Sequence, residues 1–121
     1  MSEPKTKIVK FMDVTDDVLQ DMVRAIVAAV HPEKVILFGS YARGEAGEHS
    51  DIDLAIVEAE GFDAKRTRWN ELRRIRDALK PFFVPKDILV FSKAEESKAA
   101  RFRSHILTTA KEEGRVLYER E

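Results

Sequence analysis

There is no cysteine in this chain. That excludes disulfides, thiolate zinc sites and cysteine nucleophiles together. No apolar run approaches membrane-spanning length, and the opening MSEPKTK lacks the apolar stretch of a signal peptide. The expected setting is therefore the cytoplasm, with no membrane partner. Net charge is missing too: 21 basic residues stand against 22 acidic ones, a formal −1 at pH 7. Such a balance exerts no global pull on polyanions, so strong general nucleic-acid binding is not expected. Side-chain amides are scarce, with Asn70 and Gln20 alone beside abundant Glu, Lys and Arg. This fits heat adaptation and, equally, a plain compositional bias.

What is present suffices for one domain. A chain of 121 residues, 44% apolar, can bury a real core but cannot hold a catalytic domain plus a separate acceptor domain. Residues 1–12 read as a flexible segment, with Lys7–Phe11 able to pair briefly at a sheet edge. Residues 13–121 read as one folded unit. Asp13 or Thr15 can cap a first helix carrying Val14, Val18, Met22, Ile26 and Ala29 at helical spacing, ended by His31-Pro32. Lys34–Phe38 is a short buried strand, Ser40–Arg43 opens a short helix, and residues 44–50 form a loop.

Asp51–Val57 alternates, with Ile52, Leu54 and Ile56 facing one way and Asp51, Asp53 and Ala55 the other. A helix over Asp63–Lys80 is expected to bury Trp69, Leu72, Ile75 and Leu79. Asp87–Phe91 is a third strand. Ser92 to Glu95 has capping-box spacing and opens a helix with Ala99, Phe102, Ile106 and Ala110 inward, closed by Gly114. Arg115–Tyr118 is a last strand. The sum is an α/β (α+β) domain, a small mixed sheet with helices packed on it.

The stretch VILFGSYARGEAGEHSDIDLAIV, Val35 to Val57, concentrates the chemistry. Asp51 and Asp53, two apart on a strand, project their carboxylates from one face, within reach of a shared ion. An empty pair repels and titrates as a unit. Oxygen donors without nearby His or Cys favour Mg²⁺ or Mn²⁺ over Zn²⁺. Asp87 completes a three-acid cluster if its strand lies beside that of Asp53, an arrangement suited to in-line attack at phosphorus. Gly39-Ser40 supplies bare backbone, a hydroxyl and free N–H groups for a phosphate, and Arg43 one turn later can neutralise a phosphate oxygen. Taken singly, each part has a plainer explanation: a turn, a strand-end cap, or an Arg43 pairing with Glu45 or Glu48. The joint pattern of Gly-Ser, ten residues, Asp-Ile-Asp and a later strand-opening Asp carries the argument.

On these motifs the chain resembles the DNA polymerase β nucleotidyltransferase superfamily. The fuller text is similar to its minimal nucleotidyltransferase (MNT) branch, along most of the length from Val14 to Tyr118. The resemblance implies a polymerase-β-like core in which Gly39 and Ser40 hold a triphosphate. It also implies that Asp51, Asp53 and Asp87 are catalytic metal ligands for Mg²⁺ or Mn²⁺. The implied reaction transfers AMP from ATP to a hydroxyl. MNT proteins are similar to the antitoxin half of HEPN/MNT pairs, so the implied partner is a HEPN ribonuclease toxin, with a tyrosine as acceptor, in a homo- or hetero-oligomer.

Other readings compete. Gly39 and Gly44 have P-loop spacing, but Glu45 and Ala46 stand where Lys and Ser or Thr are required. Arg24 and His31 have the spacing of a HEPN ribonuclease pair, yet a three-strand pattern does not suit an all-helical fold. A solvated Arg24 and a helix-ending His31 explain them better. His49 and His105 read as exposed polar residues. A basic third helix containing Lys65, Arg66, Arg68, Arg73, Arg74 and Arg76 could serve RNA or an acidic partner. The remaining alternatives are an antitoxin that masks its partner without catalysis and a small-molecule nucleotidyltransferase.

Overall fold

The computed structural model describes residues 11–47, 49–103 and 105–121. The flexible segment expected over 1–12, and the edge pairing over Lys7–Phe11, fall outside these apart from Phe11 and Met12. Those two lie against Phe83: the Phe11 and Phe83 rings are 5.0 Å apart, and Met12 N donates to Phe83 O.

Among the described residues the elements run in the order α1 (Asp16–Val30), β1 (Lys34–Phe38), α2 (Gly39–Arg43), β2 (Ile52–Glu58), α3 (Arg68–Ala78), β3 (Lys86–Ser92), α4 (Lys93–Ala99), α5 (Ile106–Glu113) and β4 (Arg115–Glu119). The four strands form one mixed sheet in the order β3-β2-β1-β4. β1 lies antiparallel to both β2 and β4, while β2 and β3 are parallel, joined by the crossover through α3.

Each face of the sheet has its own core. Val35, Leu37, Ile52, Leu54, Ile56, Ile88 and Val90 meet α1 and α3 on one side. Ile36, Ala55 and Val57 meet Ala99, Leu107 and Ala110 of α4 and α5 on the other. The period-2 alternation in β2 therefore divides it as expected. It also sends Asp53, in phase with Ala55 and Val57, toward the α4–α5 side.

Thr15 caps α1, its hydroxyl accepting from Val18 N at 3.2 Å. His31 ends the helix in a left-handed conformation, its N–H donating to Val27 O. Arg24 is tied to Asp21 at 2.6 Å on the exposed face of α1, so the Arg24–His31 pairing has only its structural explanation.

Several expectations are corrected. α3 begins at Arg68, not Asp63, because the Asp63 carboxylate accepts from Lys65 N and Arg66 N in a local turn and Thr67 provides the cap. Trp69 is not core but 66% exposed. At about 100° per residue Trp69 lies roughly 120° around the helix from Ile75, whereas Glu71 lies about 40° away. The inward line is Glu71, Ile75 and Leu79, with a carboxylate on the buried stripe.

The helix expected to run unbroken from Lys93 to Gly114 is two helices. α4 stops at Ala99 and α5 restarts with His105 as cap, its Nδ1 accepting from Leu107 N at 3.0 Å. The break leaves Phe102 and Ile106 exposed instead of inward, and Leu107 takes the buried position. Gly114 closes α5 in extended geometry, not in the left-handed C′ conformation. Glycine is needed there for proximity, since a Cβ would overlap Ala110 O and come within 2.6 Å of Leu37 O.

Candidate functional site

The site residues collect at one end of the sheet. β1 ends at Phe38, which pairs with Asp53 of β2, and Asp53 in turn stands opposite Asp87 of β3. Asp51 lies just before β2, where Ile52 N donates to Pro85 O and extends the β2–β3 pairing by one step. The parallel register thus brings the third aspartate beside the second. This was conditional in the sequence, because nothing local says which strand neighbours which.

Gly39 follows β1 directly and turns the chain into α2 with φ of +71°. A methyl group here would overlap Asp53 Oδ2 and lie 3.1 Å from its Cγ. Glycine is therefore required twice, for the left-handed backbone and for the close approach of the carboxylate. Ser40 stands in the first turn of α2, where backbone N–H groups have no intrahelical acceptor.

Electrostatically, Asp53 is the crowded member. Its pKa is raised, first by burial, then by the Asp87 and Asp51 carboxylates, with Arg43 acting in the opposite sense. Both neighbours are thus within Coulombic reach of it. Among the described residues, no three acids or histidines stand close enough together to hold an ion as they are placed. The three aspartates share one end of the sheet in an open arrangement. Their oxygen-only chemistry and the mutual repulsion at Asp53 both fit a hard divalent cation, which would relieve the crowding.

Arg43 is at the site but engaged. Its Nε donates to Glu45 Oε2 at 3.0 Å, and a terminal nitrogen lies 3.6 Å from Glu113 Oε2. The Glu45 hydrogen bond is the main reason its pKa is raised above the ordinary arginine value. An incoming phosphate would have to compete with these two carboxylates. The expected pairing with Glu45 is present, while Glu48 lies outside the described residues.

Two residues around the site had no signal in the sequence. Lys86, next to Asp87, turns its Nζ to Phe82 O and Val84 O at 2.9 and 3.1 Å, fastening the loop from which β3 starts. Burial lowers its pKa. Glu113, at the end of α5, reaches Arg43 across the α2–α5 contact. Neither can be found by motif, since both depend on tertiary proximity.

A family model described as a nucleotidyltransferase domain matches residues 19–117. A protein of Methanocaldococcus jannaschii assigned as a protein adenylyltransferase is 38% identical over 86 residues, covering 71% of this chain and 78% of that one. Among solved structures, a protein of Sulfolobus solfataricus assigned as a nucleotidyltransferase superposes with a TM-score of 0.59 at 18% identity. That match spans 86% of this chain and 79% of the other. A toxin–antitoxin structure with AMP-PNP follows at 0.50 and 23% identity, over 84% and 74% of the two chains. At these identities the two solved structures share the fold. No described helix is long and apolar enough to cross a membrane. The family match spans most of the chain: the chain belongs to the nucleotidyltransferase-domain family.

Proposed function

We propose that this nucleotidyltransferase transfers AMP from ATP to a hydroxyl of a partner protein. The observation that carries the reading is the convergence of Asp53, Asp87 and the bare Gly39 backbone at one sheet end. The relative assigned as a protein adenylyltransferase supports a protein acceptor. The shared fold with toxin–antitoxin members fits a toxin, of HEPN type in our reading, with a tyrosine as the modified side chain. An ATP-dependent reaction of this kind belongs in the cytoplasm.

Asp51, Asp53 and Asp87 would hold the divalent cation, Mg²⁺ or Mn²⁺. When bound, it supplies Lewis-acid polarisation of phosphate oxygens and a lowered pKa for the attacking hydroxyl. The chain's own groups bind and orient. Gly39 admits a phosphate against the backbone, Ser40 adds its hydroxyl and the free N–H groups of the α2 start, and Arg43 offers a guanidinium once released from Glu45. Asp87, exposed on edge strand β3, leaves that side open to an acceptor carried on another protein. In the reaction the acceptor oxygen bonds to the α-phosphorus, the α–β bridging bond breaks, and pyrophosphate departs as the hydroxyl loses its proton.

The test is a pair of labelling reactions with the co-encoded partner. Label at the α-phosphate of ATP should become fixed to the partner and label at the γ-phosphate should leave as pyrophosphate. Transfer of the γ-label, or of neither, would refute the proposal.

A further inference from the structure

The outward flank of α3 carries the chain's one tryptophan, Trp69, 66% exposed. Leu72, half-buried, follows at i+3, and the exposed Arg73 and Arg76 follow at i+4 and i+7. At about 100° per residue the four fall within roughly 100° of arc, Arg76 almost in line with Trp69. They line a groove of about 130 Å³.

The charge around this groove is one-sided. Every other charged residue of α3 is matched: Arg68 with Glu95 at 2.5 Å, Arg74 with Glu71 at 3.3 Å, and Asp77 with Lys80 at 3.1 Å. Arg73 donates to the Asn70 amide oxygen at 3.1 Å, a neutral partner. Among the described residues no carboxylate pairs with Arg73 or Arg76. Two uncompensated guanidinium groups thus border an exposed indole, in a chain whose formal net charge is −1. Tryptophan and arginine together are the residues on which interfaces anchor.

We infer that this groove docks an acidic amphipathic helix of the partner protein. An alkyl side chain of that helix enters between Trp69 and Leu72, and its carboxylates meet Arg73 and Arg76. The i, i+3/i+4, i+7 spacing is the seam that one helix offers to another. Single-stranded RNA is the poorer fit, because it asks for a run of cations along its phosphates. The neighbouring arginines are already engaged, Arg68 and Arg74 as above and Arg66 with the buried Glu58 at 2.8 Å. Burial and then the Glu71 carboxyl push that Glu58 up to about 7. The groove lies on α3, apart from the aspartates at the starts of β2 and β3, and gives the reaction no group. That the docked protein is also the acceptor rests on the transfer proposed above.

Isothermal titration with the purified co-encoded partner, without ATP, tests this. The wild type should bind saturably. Trp69→Ala and Arg76→Glu should each weaken binding roughly tenfold or more. Arg101→Glu, at an exposed arginine on another part of the surface, should change it less than about twofold. Raising NaCl from about 50 to about 300 mM should weaken the wild type and affect Arg73→Gln/Arg76→Gln far less.

No binding by the wild type, binding unaltered in Trp69→Ala or Arg76→Glu, or an equal loss in Arg101→Glu would overturn the proposal. So would displacement of the partner by a single-stranded RNA of about twelve nucleotides. Docking that depends on Trp69 with no AMP transferred by the wild type would refute the transfer and leave the surface standing. Transfer with an affinity unaltered in Trp69→Ala would do the reverse.

Discussion

The carboxylate of Asp53 occupies the space in which a side chain on Gly39 would begin. Strand β2 and the turn after β1 are thereby locked together at the end of the sheet where Asp53 stands opposite Asp87. Gly39→Ala should impose left-handed strain of about 1–2 kcal/mol and also displace Asp53. Gly44 is the natural control, with φ of +70° and open space where a Cβ would stand. Denaturant unfolding should show a comparable strain cost at Gly44→Ala, with most activity kept. Gly39→Ala should lose roughly 100-fold in nucleotidyl transfer, as misplaced reacting groups do.

Asp53 is raised by burial and by two neighbouring carboxylates. A carboxyl whose folded pKa is raised favours folding below its ordinary pKa and loses that contribution as pH rises through the folded value. At neutral pH without divalent ions, ionised Asp53 therefore opposes folding. Asp53→Asn should melt higher than wild type at pH 7, and the advantage should vanish below about pH 4. Adding MgCl₂ should raise the melting temperature of wild type more than that of Asp53→Asn. Equal responses would argue against Asp53 as a ligand.

Glu58 contributes its own pH dependence. The difference in unfolding free energy between wild type and Glu58→Gln should fall as pH rises from the ordinary glutamate range to about 7, then level off. Its total span should be on the order of 3 kcal/mol. Chemical denaturation of both proteins across pH 4 to 9, about half a unit per step, measures the difference curve.

Trp69 and Leu79 separate what the sequence makes legible from what it does not. Trp69→Ala should change stability by less than about 0.5 kcal/mol, because its ring is largely in solvent. Leu79→Ala, fully buried, should cost about 2–5 kcal/mol.

The positions of Gly39 and Ser40 after β1 and of Asp51 and Asp53 at the start of β2 are legible in the sequence, because turn and alternation signals are local. The sheet position of Asp87 needed the β2–β3 pairing, a long-range fact that a motif only suggests. The α3 face is not legible from hydrophobicity, which ranks Trp69 above Glu71, while helical angle places Glu71 inward. The break between α4 and α5 leaves no local signal, because His105 is an uncommon cap and Phe102 continues the apolar spacing. Gly114 ends α5 where the sequence places it, but close backbone packing requires it, not a left-handed turn.

The most direct measurement is the intact mass of the co-encoded partner after incubation with ATP and MgCl₂. Wild-type protein should add about 329 Da, one AMP, or multiples of it. Asp53→Asn should add nothing while retaining a folded spectrum. No gain with wild type would contradict protein adenylylation, and a gain that persists with Asp53→Asn would contradict the site.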